Sequence, residues 1–410
     1  MNLYALIAML LTLTALFSFL NHLYLKLPTV IGVMLISLAL SLAILLLDVE
    51  WFATAAQLVS GLDFKATLMN GVLCYLLFAG ALFVNLGDLV REKWLVGCLA
   101  TVGLAISTLL TAGLIWGLSA WLGFPLPLLY CLLFGALISP TDPVAVLAIL
   151  RQAGLDPAIR TRITGESLFN DGVSVVLFAT LLSLVAGGPD EAPASVVSVV
   201  LLFLQEVAGG ALAGLLLGAA GYQLLRRVDE HAIEILITLA VVSGGYSLCQ
   251  ALHVSGPIAM VVAGLMIGNH GKMLAMSAPS REHLDNFWEL VDEILNSVLF
   301  VLLGLELLII AFTPQYLLAG VIAIAVTLAA RLLSVSLPMA VFSWKTRQPV
   351  GAEIRLLTWG GIRGGISVAL ALSLPPTEHQ GLLLAMTYCV VVWSIVVQGL
   401  SIGRLAARRG

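Results

Sequence analysis

The segment from residue 164 to residue 174 concentrates side chains that could bind a small ion. It reads Thr-Gly-Glu-Ser-Leu-Phe-Asn-Asp-Gly-Val-Ser. Residues four apart lie on the same face of a helix, so Glu166 and Asn170 share one stripe. Ser167 and Asp171 continue that stripe. Its ligand atoms are oxygens and a side-chain amide, which hard cations such as sodium prefer, and no His and Cys set suited to zinc or copper accompanies them. The stripe therefore predicts a site for a hard cation.

Asp171 is the residue on this stripe best suited to hold a proton as well as a cation. Burial in a medium of low dielectric constant favours the neutral form of a carboxyl group. Such a group can hold a proton or a cation, but not both at once. The adjacent Asn170 is neutral and does not share the proton. Competition of two ions for one carboxyl group, combined with rocking of one helix bundle against another, is sufficient for their exchange.

Two further segments interrupt apolar runs and would contribute free backbone groups. Residues 139–143 read Ser-Pro-Thr-Asp-Pro, and each proline removes an amide donor and clashes with the preceding helical turn. Residues 360–365 read Gly-Gly-Ile-Arg-Gly-Gly. In the first break, Thr141, Asp142 and the freed carbonyl groups suit a partly dehydrated monovalent cation. Asp142 could equally cap a helix end at the break.

Two arginines, Arg331 and Arg363, also lie within apolar runs. A charge at mid-membrane costs about 3 kcal/mol on insertion scales, so each is expected to have a partner or a function. Glu166 is best interpreted as the partner of one arginine, since an unpaired buried charge is unfavourable. The sequence leaves open which arginine this is; the other would balance helix ends or pair with Asp142. Glu306, near the end of its run, could reach water.

The composition of the chain places these charges in a membrane protein. Apolar residues make up 60% of the 410 positions, charged residues make up 10%, and the mean hydropathy is +1.08. A soluble domain carries about a quarter charged residues, so this chain has too little polar surface to face water on all sides. One membrane domain, residues 1–410, is expected, without a separate soluble domain. The scattered cysteines have no metal or redox spacing, and no large basic patch occurs. We therefore expect no cofactor and no nucleic-acid partner. Because ion exchange is the expected activity, we expect no enzyme chemistry.

Proline, glycine and charged residues divide the apolar runs into about thirteen candidate membrane spans, since a helix of about 20 residues crosses the hydrocarbon core. The spans cover residues 3–20, 25–47, 66–87, 94–121, 126–150, 162–187, 194–224, 232–250, 255–270, 291–312, 314–342, 354–374 and 380–403. The two breaks fall in spans 5 and 12.

Lysine and arginine are distributed very unequally between the two predicted sides. Of the 19 Lys and Arg residues, Arg331 and Arg363 lie inside spans and Lys65 lies alone on one side. All the others lie on the side of the C-terminus. Because cytoplasmic loops carry the excess of positive charge, this distribution predicts a cytoplasmic C-terminus and an N-terminus outside the cell.

The positions of the two breaks predict an internal symmetry. Spans 5 and 12 are seven apart, so they cross the membrane in opposite directions. Spans 1–6 then match spans 8–13 as inverted-topology repeats. In such proteins the paired broken helices cross near the midplane, where their free backbone ends face the cargo. The predicted fold class is an all-α polytopic membrane protein with two discontinuous crossing helices.

Several stretches of the chain resemble the monovalent cation:proton antiporter family of the sodium/proton exchanger (NhaP) type. The Asn-Asp pair at 170–171, with Glu166 five residues before the Asp, is the most specific of them. Together they cover the chain from about residue 130 to its end. They are residues 139–146 (SPTDPVAV), 165–172 (GESLFNDG), 255–268 (SGPIAMVVAGLMIG), 287–306 (FWE to LGLE), 331–335 (RLLSV) and 359–372 (WGGIRGGISVALAL).

The resemblance implies exchange of Na⁺ or Li⁺ for H⁺ across the cell inner membrane by a homodimer. A dimerisation domain would support a mobile core that includes about 126–187 and 314–403. The Asn-Asp form implies electroneutral one-for-one exchange. Glu166 and Asn170 would organise the site. The cation ligands that the resemblance implies are Thr141, Asp142, Ser167 and Asp171.

The chain differs from the family pattern in two respects, and two alternative functions stay open. Many relatives have an acid in span 3 where this chain has Ala79, so any role of that acid is absent. Long cytoplasmic regulatory tails are also expected to be missing. Exchange of K⁺ for H⁺ on the same scaffold is one rival function. A cation channel, which would pass the cation without counter-movement of protons, is the other.

Overall fold

The computed structural model describes residues 3–46, 71–121, 123, 125–143, 146–147, 156–186, 196–308, 310, 313–346 and 350–407. In these ranges the chain is helical and contains no strand. We number its main helices in chain order. They are α1 (Leu3–Leu20), α2 (Thr29–Leu46), α3 (Leu73–Leu82), α4 (Leu86–Cys98), α5 (Leu104–Trp121), α6 (Leu128–Ile138), α7 (Pro157–Ala186), α8 (Val196–Leu225), α9 (His231–Ala251), α10 (Gly256–Met266), α11 (Ala278–Leu305), α12 (Pro314–Thr346), α13 (Gly351–Trp359), α14 (Gly365–Leu372), α15 (Gln380–Trp393) and α16 (Leu400–Ala407).

The helices agree with the predicted spans in type and order. Each predicted span overlaps at least one helix, and eight helices of the described chain are long and apolar enough to cross a membrane. The protein is therefore a multi-pass membrane protein. The number of thirteen spans stays a prediction, because α3 and α6 are shorter apolar helices. Five of the basic residues that contribute to the predicted sidedness lie outside the described residues: Lys65, Arg151, Arg347, Arg408 and Arg409.

Two helices begin earlier than the hydropathy of the sequence predicts. Helix α4 begins at Leu86 rather than at residue 94, because the Asn85 side chain accepts a hydrogen bond from the Asp88 amide at 3.1 Å. Helix α11 begins at Ala278 rather than at residue 291, after a similar Ser277 cap. Capping side chains satisfy the free amides of a first turn. Both first turns can therefore be polar and extend beyond the apolar run.

A buried ion-pair network fixes one end of α7. The Arg162 guanidinium donates to Glu92 of α4 at 2.8 Å and also to Glu353 of α13. The Arg162 and Glu353 side chains are both only 11% exposed. Buried charges are tolerated when they are paired and hydrogen-bonded. The network therefore ties three helices together at the end of α7 from which the polar stripe begins.

The two sequence breaks interrupt helices in the structure, and they touch each other. Helix α6 ends at Ile138, just before the first proline of its break, and residues 360–364 separate α13 from α14. The Asp142 amide donates to the Ile362 carbonyl at 2.7 Å. A β-carbon added at Gly364 would collide with the Asp142 side chain. Glycine at position 364 is thus required by this close approach of the two breaks.

This close approach leads to a first prediction. Gly364→Ala would push the Asp142 side chain away from the second break, and we expect it to reduce ion exchange strongly. Gly244→Ala is the matched control, because a β-carbon there meets nothing within 4 Å in the described structure. That control lies in α9, where alanine is favoured over glycine by about 1 kcal/mol. Exchange in vesicles should fall in Gly364→Ala alone. Equal activity of both variants would contradict the close contact.

Candidate ion-binding site

The unwound segment after α6 lies against the polar stripe of α7. The hydroxyl oxygens of Thr141 and Ser167 are 3.0 Å apart. Asn170 holds the segment through two contacts: its Nδ2 donates to Thr141 Oγ1 at 3.1 Å, and its Oδ1 accepts from the Thr141 amide at 3.4 Å. All three residues are buried. Because a buried amide needs an acceptor once its helix is broken, Asn170 positions the unwound segment.

Two carboxyl groups, those of Asp171 and Asp142, belong to the same region. Asp171 is only 7% exposed. Among the described residues, its one hydrogen bond beyond the helical backbone is accepted by its main-chain oxygen, from Ser174 Oγ at 3.2 Å. Asp142 is half-buried and lies near enough to Asp171 for the two charges to interact. Two neighbouring carboxylates repel each other, so a bound cation or proton stabilises the pair.

Glu166 pairs with Arg331, which answers the question that the sequence left open. Arg331 Nη1 donates to Glu166 Oε1, and Nη2 donates to Glu166 Oε2 at 3.1 Å. Arg331 Nη2 also donates to the Leu357 carbonyl at 3.1 Å. Two-point pairing of a guanidinium with a carboxylate is the strongest geometry available to such a pair. Glu166 is therefore neutralised within the protein, although it lies on the same stripe as Asp171.

Arg363 binds backbone carbonyls at the first break. Its Nη1 donates to the carbonyl oxygens of Ser139 and Pro140, the second at 2.9 Å. Its amide donates to Ser394 Oγ at 3.0 Å. The carbonyl groups at the C-terminal end of a helix carry partial negative charge, which a cation stabilises. Arg363 thus balances the end of α6 rather than pairing with Glu166.

The structure adds residues that the sequence analysis did not select. Ser139 Oγ donates to Ser107 Oγ of α5 at 2.9 Å, which links the break to a neighbouring helix. Asp292 of α11 lies near enough to Asp142 for their charges to interact. Asn296 Nδ2 donates a hydrogen bond to Asp292 Oδ1 at 3.1 Å. Asp292 and Asn296 are four residues apart on one helix. The same spacing that pointed to residues 166–171 could have pointed to this pair.

The arrangement combines hydroxyl and carboxyl oxygens with a segment of broken helix. The oxygens of Thr141 and Ser167 are in contact, and the two acidic side chains interact. Glu166 has its own cationic partner. The remaining buried charge on α7, that of Asp171, can be balanced by a small cation or by a proton. This set of oxygens suits a hard monovalent cation.

Comparisons with known proteins identify the family of the chain. The family model described as sodium/hydrogen exchanger, transmembrane, matches residues 6–408. The Na⁺/H⁺ antiporter NhaP of Pseudomonas aeruginosa is 46% identical over 98% of this chain and 96% of its own length. The Na⁺/H⁺ antiporter NhaH of Halobacillus dabanensis is 34% identical over 94% of this chain and 93% of its own length.

A solved structure shares the fold. The sodium proton antiporter MjNhaP1 of Methanocaldococcus jannaschii superposes with a TM-score of 0.76, at 21% identity, over 99% of both chains. At this level of identity the match concerns the fold alone. The family model and the relatives, in contrast, match nearly the whole sequence. The chain belongs to the sodium/hydrogen exchanger family.

Proposed function

We propose that this chain is a secondary antiporter that exchanges Na⁺ or Li⁺ for H⁺ across the inner membrane. The two ions compete for the carboxyl group of Asp171. One observation carries the proposal. Asp171 is nearly buried beside the Thr141–Ser167 contact, and it has no arginine partner in the described part of the chain, whereas Glu166 has one. The charge of Asp171 must therefore be balanced by the cargo cation or by a proton.

The proposed cation ligands are the oxygens of Thr141, Asp142, Ser167 and Asp171. Asn170 positions the unwound segment through its contacts with Thr141. Sodium is favoured because relatives that match nearly the whole chain are named Na⁺/H⁺ antiporters. Exchange of K⁺ for H⁺ is the alternative, since the same oxygen ligands can bind a larger monovalent cation.

Alternating access would arise from movement of the core around this site. Under the proposal, the broken spans cross at the site, and the thirteen spans form inverted repeats with the N-terminus outside and the C-terminus in the cytoplasm. The hydrogen bond between Asp142 and Ile362 supports the crossing. Free helix ends near the midplane suit a site that must open to both sides.

A homodimer is supported by the surface of α8. In the most apolar part of this helix, only 11% of the residues are buried within the chain. Leu212, Leu215 and Leu216 are more than half exposed. Lipid or a second copy of the chain must cover this face, because it is too apolar for water. We propose that a second copy covers part of it.

The experiment that tests the proposed function is dye-monitored proton flux in vesicles containing the purified protein. Na⁺, Li⁺, K⁺ and Ca²⁺ are added in turn at matched ionic strength. We expect alkalinisation of acid-loaded vesicles with Na⁺ and Li⁺, and no response to Ca²⁺. A response to K⁺ alone would establish the alternative cargo. Sodium uptake without any change of internal pH would identify a channel and refute exchange.

A second prediction concerns the charge balance of exchange. If one cation displaces one proton from Asp171, no net charge crosses the membrane. The initial rate should then be unchanged when a potential is imposed with K⁺ and valinomycin. The apparent KM for Na⁺ should rise as the pH falls, because protons compete for the same carboxyl group. A rate that depends on the potential would contradict one-for-one exchange.

A further inference from the structure

A small cavity lies beside the two buried arginines, outside the set of proposed cation ligands. Its polar side chains are those of Thr327, Arg331, Arg363 and Gln398, and the rest of its lining consists of Gly361 and side chains of α12 and α15. Its volume is about 10 Å³, which is the space needed to hold one water-sized molecule. None of the proposed cation ligands lines it. The cavity is therefore separate from the place where the cargo binds.

Three buried polar atoms of this lining have no hydrogen-bond partner within the described ranges. They are Thr327 Oγ1, Arg331 Nε and Arg363 Nη2. The other two nitrogens of the Arg331 guanidinium donate to Glu166, and Arg363 Nη1 donates to two backbone carbonyls. Neither side chain can turn to find another partner without losing those contacts. Since nearly all buried polar groups are hydrogen-bonded, this cluster points to a bound molecule.

The chemistry of the lining identifies the class of that molecule. Guanidinium N–H groups only donate hydrogen bonds, so the molecule must accept them. Gln398 does not supply the acceptor: its Oε1 accepts from Ser394 Oγ, and neither Arg331 Nε nor Arg363 Nη2 has a hydrogen-bond partner among the described residues. The positive charges of Arg331 and Arg363 exclude the transported cation. The size of the cavity favours water, whereas two guanidiniums facing a single paired carboxylate favour a small anion.

We propose that one small hydrogen-bond acceptor, a water molecule or a halide ion, binds between Thr327, Arg331 and Arg363. It joins the arginine that neutralises Glu166 to the arginine that holds the carbonyls of the first break. The bound acceptor thus fixes the position of Arg331 relative to Arg363, and these two arginines hold Glu166 and the first break in place. Its contribution is positional, since it does not touch the cargo.

The direct test is a density map of the full-length protein at a resolution at which other buried waters are visible. We expect a density feature within hydrogen-bond distance of the three orphaned atoms. Crystals grown in NaBr distinguish the two ligands: an anomalous bromine peak identifies a halide, and density without that peak identifies water. A cavity without density in the wild-type protein would overturn the proposal. This readout does not depend on transport activity, so it is separate from the test of the proposed function.

Paired variants test the site in solution. Thr327→Val removes the hydroxyl group that contacts the acceptor and keeps the shape of the side chain. Thr111→Val is the matched control, because Thr111 is fully buried, its hydroxyl also lacks a partner in the described structure, and it does not line the cavity. Removing a hydroxyl without a partner should leave the melting temperature unchanged or raise it, whereas removing one that binds the acceptor should lower it.

We therefore expect the melting temperature of Thr327→Val to be lower than that of the wild type. The melting temperature of Thr111→Val should not be lower. The same shift in both variants would overturn the proposal. Thr327→Leu, which fills the cavity, should also remove the density feature. If the ligand is a halide, replacing chloride by gluconate should lower the wild-type melting temperature, and bromide should restore it. If the ligand is water, the anion should have no effect, while the difference between the two valine variants persists.

Discussion

Asp171→Asn is expected to reduce cation-driven proton movement to the background of empty vesicles. The physical reason is that the amide of asparagine neither releases a proton nor carries the negative charge that attracts the cation. The side chains have nearly the same shape, and the main-chain contact of Asp171 with Ser174 does not involve the carboxyl group. Membrane insertion and the melting temperature should therefore stay close to those of the wild type. The measurement is dye-monitored proton flux at several sodium concentrations and pH values.

Two further aspartates complete this test. Asp88→Asn changes a carboxylate that is 46% exposed and pairs with Arg91 on the surface, so it should leave exchange unchanged. Asp142→Asn separates the two functions that the sequence left open for Asp142. A ligand function predicts a higher KM for sodium, whereas a purely capping function predicts a normal KM. Saturable, pH-dependent exchange in Asp171→Asn would place the shared carboxyl group elsewhere.

Arg331→Met is expected to destabilise the protein strongly. It removes the two-point partner of Glu166, which is 1% exposed. Breaking a buried ion pair by removing one partner costs about 3–5 kcal/mol, because the other charge is left uncompensated. The melting temperature of the purified protein should fall clearly, and exchange should fall with it. Arg91→Met, which removes a surface pair whose arginine is 82% exposed, should have no measurable effect on stability.

A double variant shows whether the effect of Arg331→Met comes from the uncompensated charge. Glu166→Met alone should destabilise for the same reason as Arg331→Met. Combining the two should restore much of the melting temperature, because no buried charge remains unpaired. The effects of residues in direct contact are not additive. Simple addition of the two losses would mean that Glu166 and Arg331 act independently.

The sequence and the structure agree most closely where a local pattern carries the information. The span at residues 3–20 coincides with a helix, because a long apolar run needs no other element to define it. The break at residues 139–143 appears where the prolines predict it, since their effect acts on their own helical turn. The stripe from Glu166 to Asp171 follows from helix periodicity alone. The family resemblance implies that Thr141 and Ser167 share one site, and their hydroxyl oxygens lie 3.0 Å apart in the structure.

The structure departs from the sequence-based predictions where burial or side-chain capping determines the outcome. Glu306 was expected to be able to reach water, but it is 1% exposed, because the turn that carries it folds into the protein after α11. The early start of α11 was missed, because a side-chain cap, rather than hydropathy, sets it. Arg162 was counted only as a cytoplasmic charge, although it forms a buried network with two glutamates.

By itself, then, the sequence determined the membrane class, the order of the helices, the two breaks and the polar stripe with Asp171. These features depend on composition and on spacings of a few residues, which hydropathy and helix geometry translate directly into structure. Only the tertiary structure decided that Arg331 pairs with Glu166, that Arg363 binds the carbonyls of the first break, and that both line a cavity with Thr327. These partners are far apart in the chain. Their choice depends on how the helices pack, and packing is a property of distances between side chains rather than of positions along the sequence.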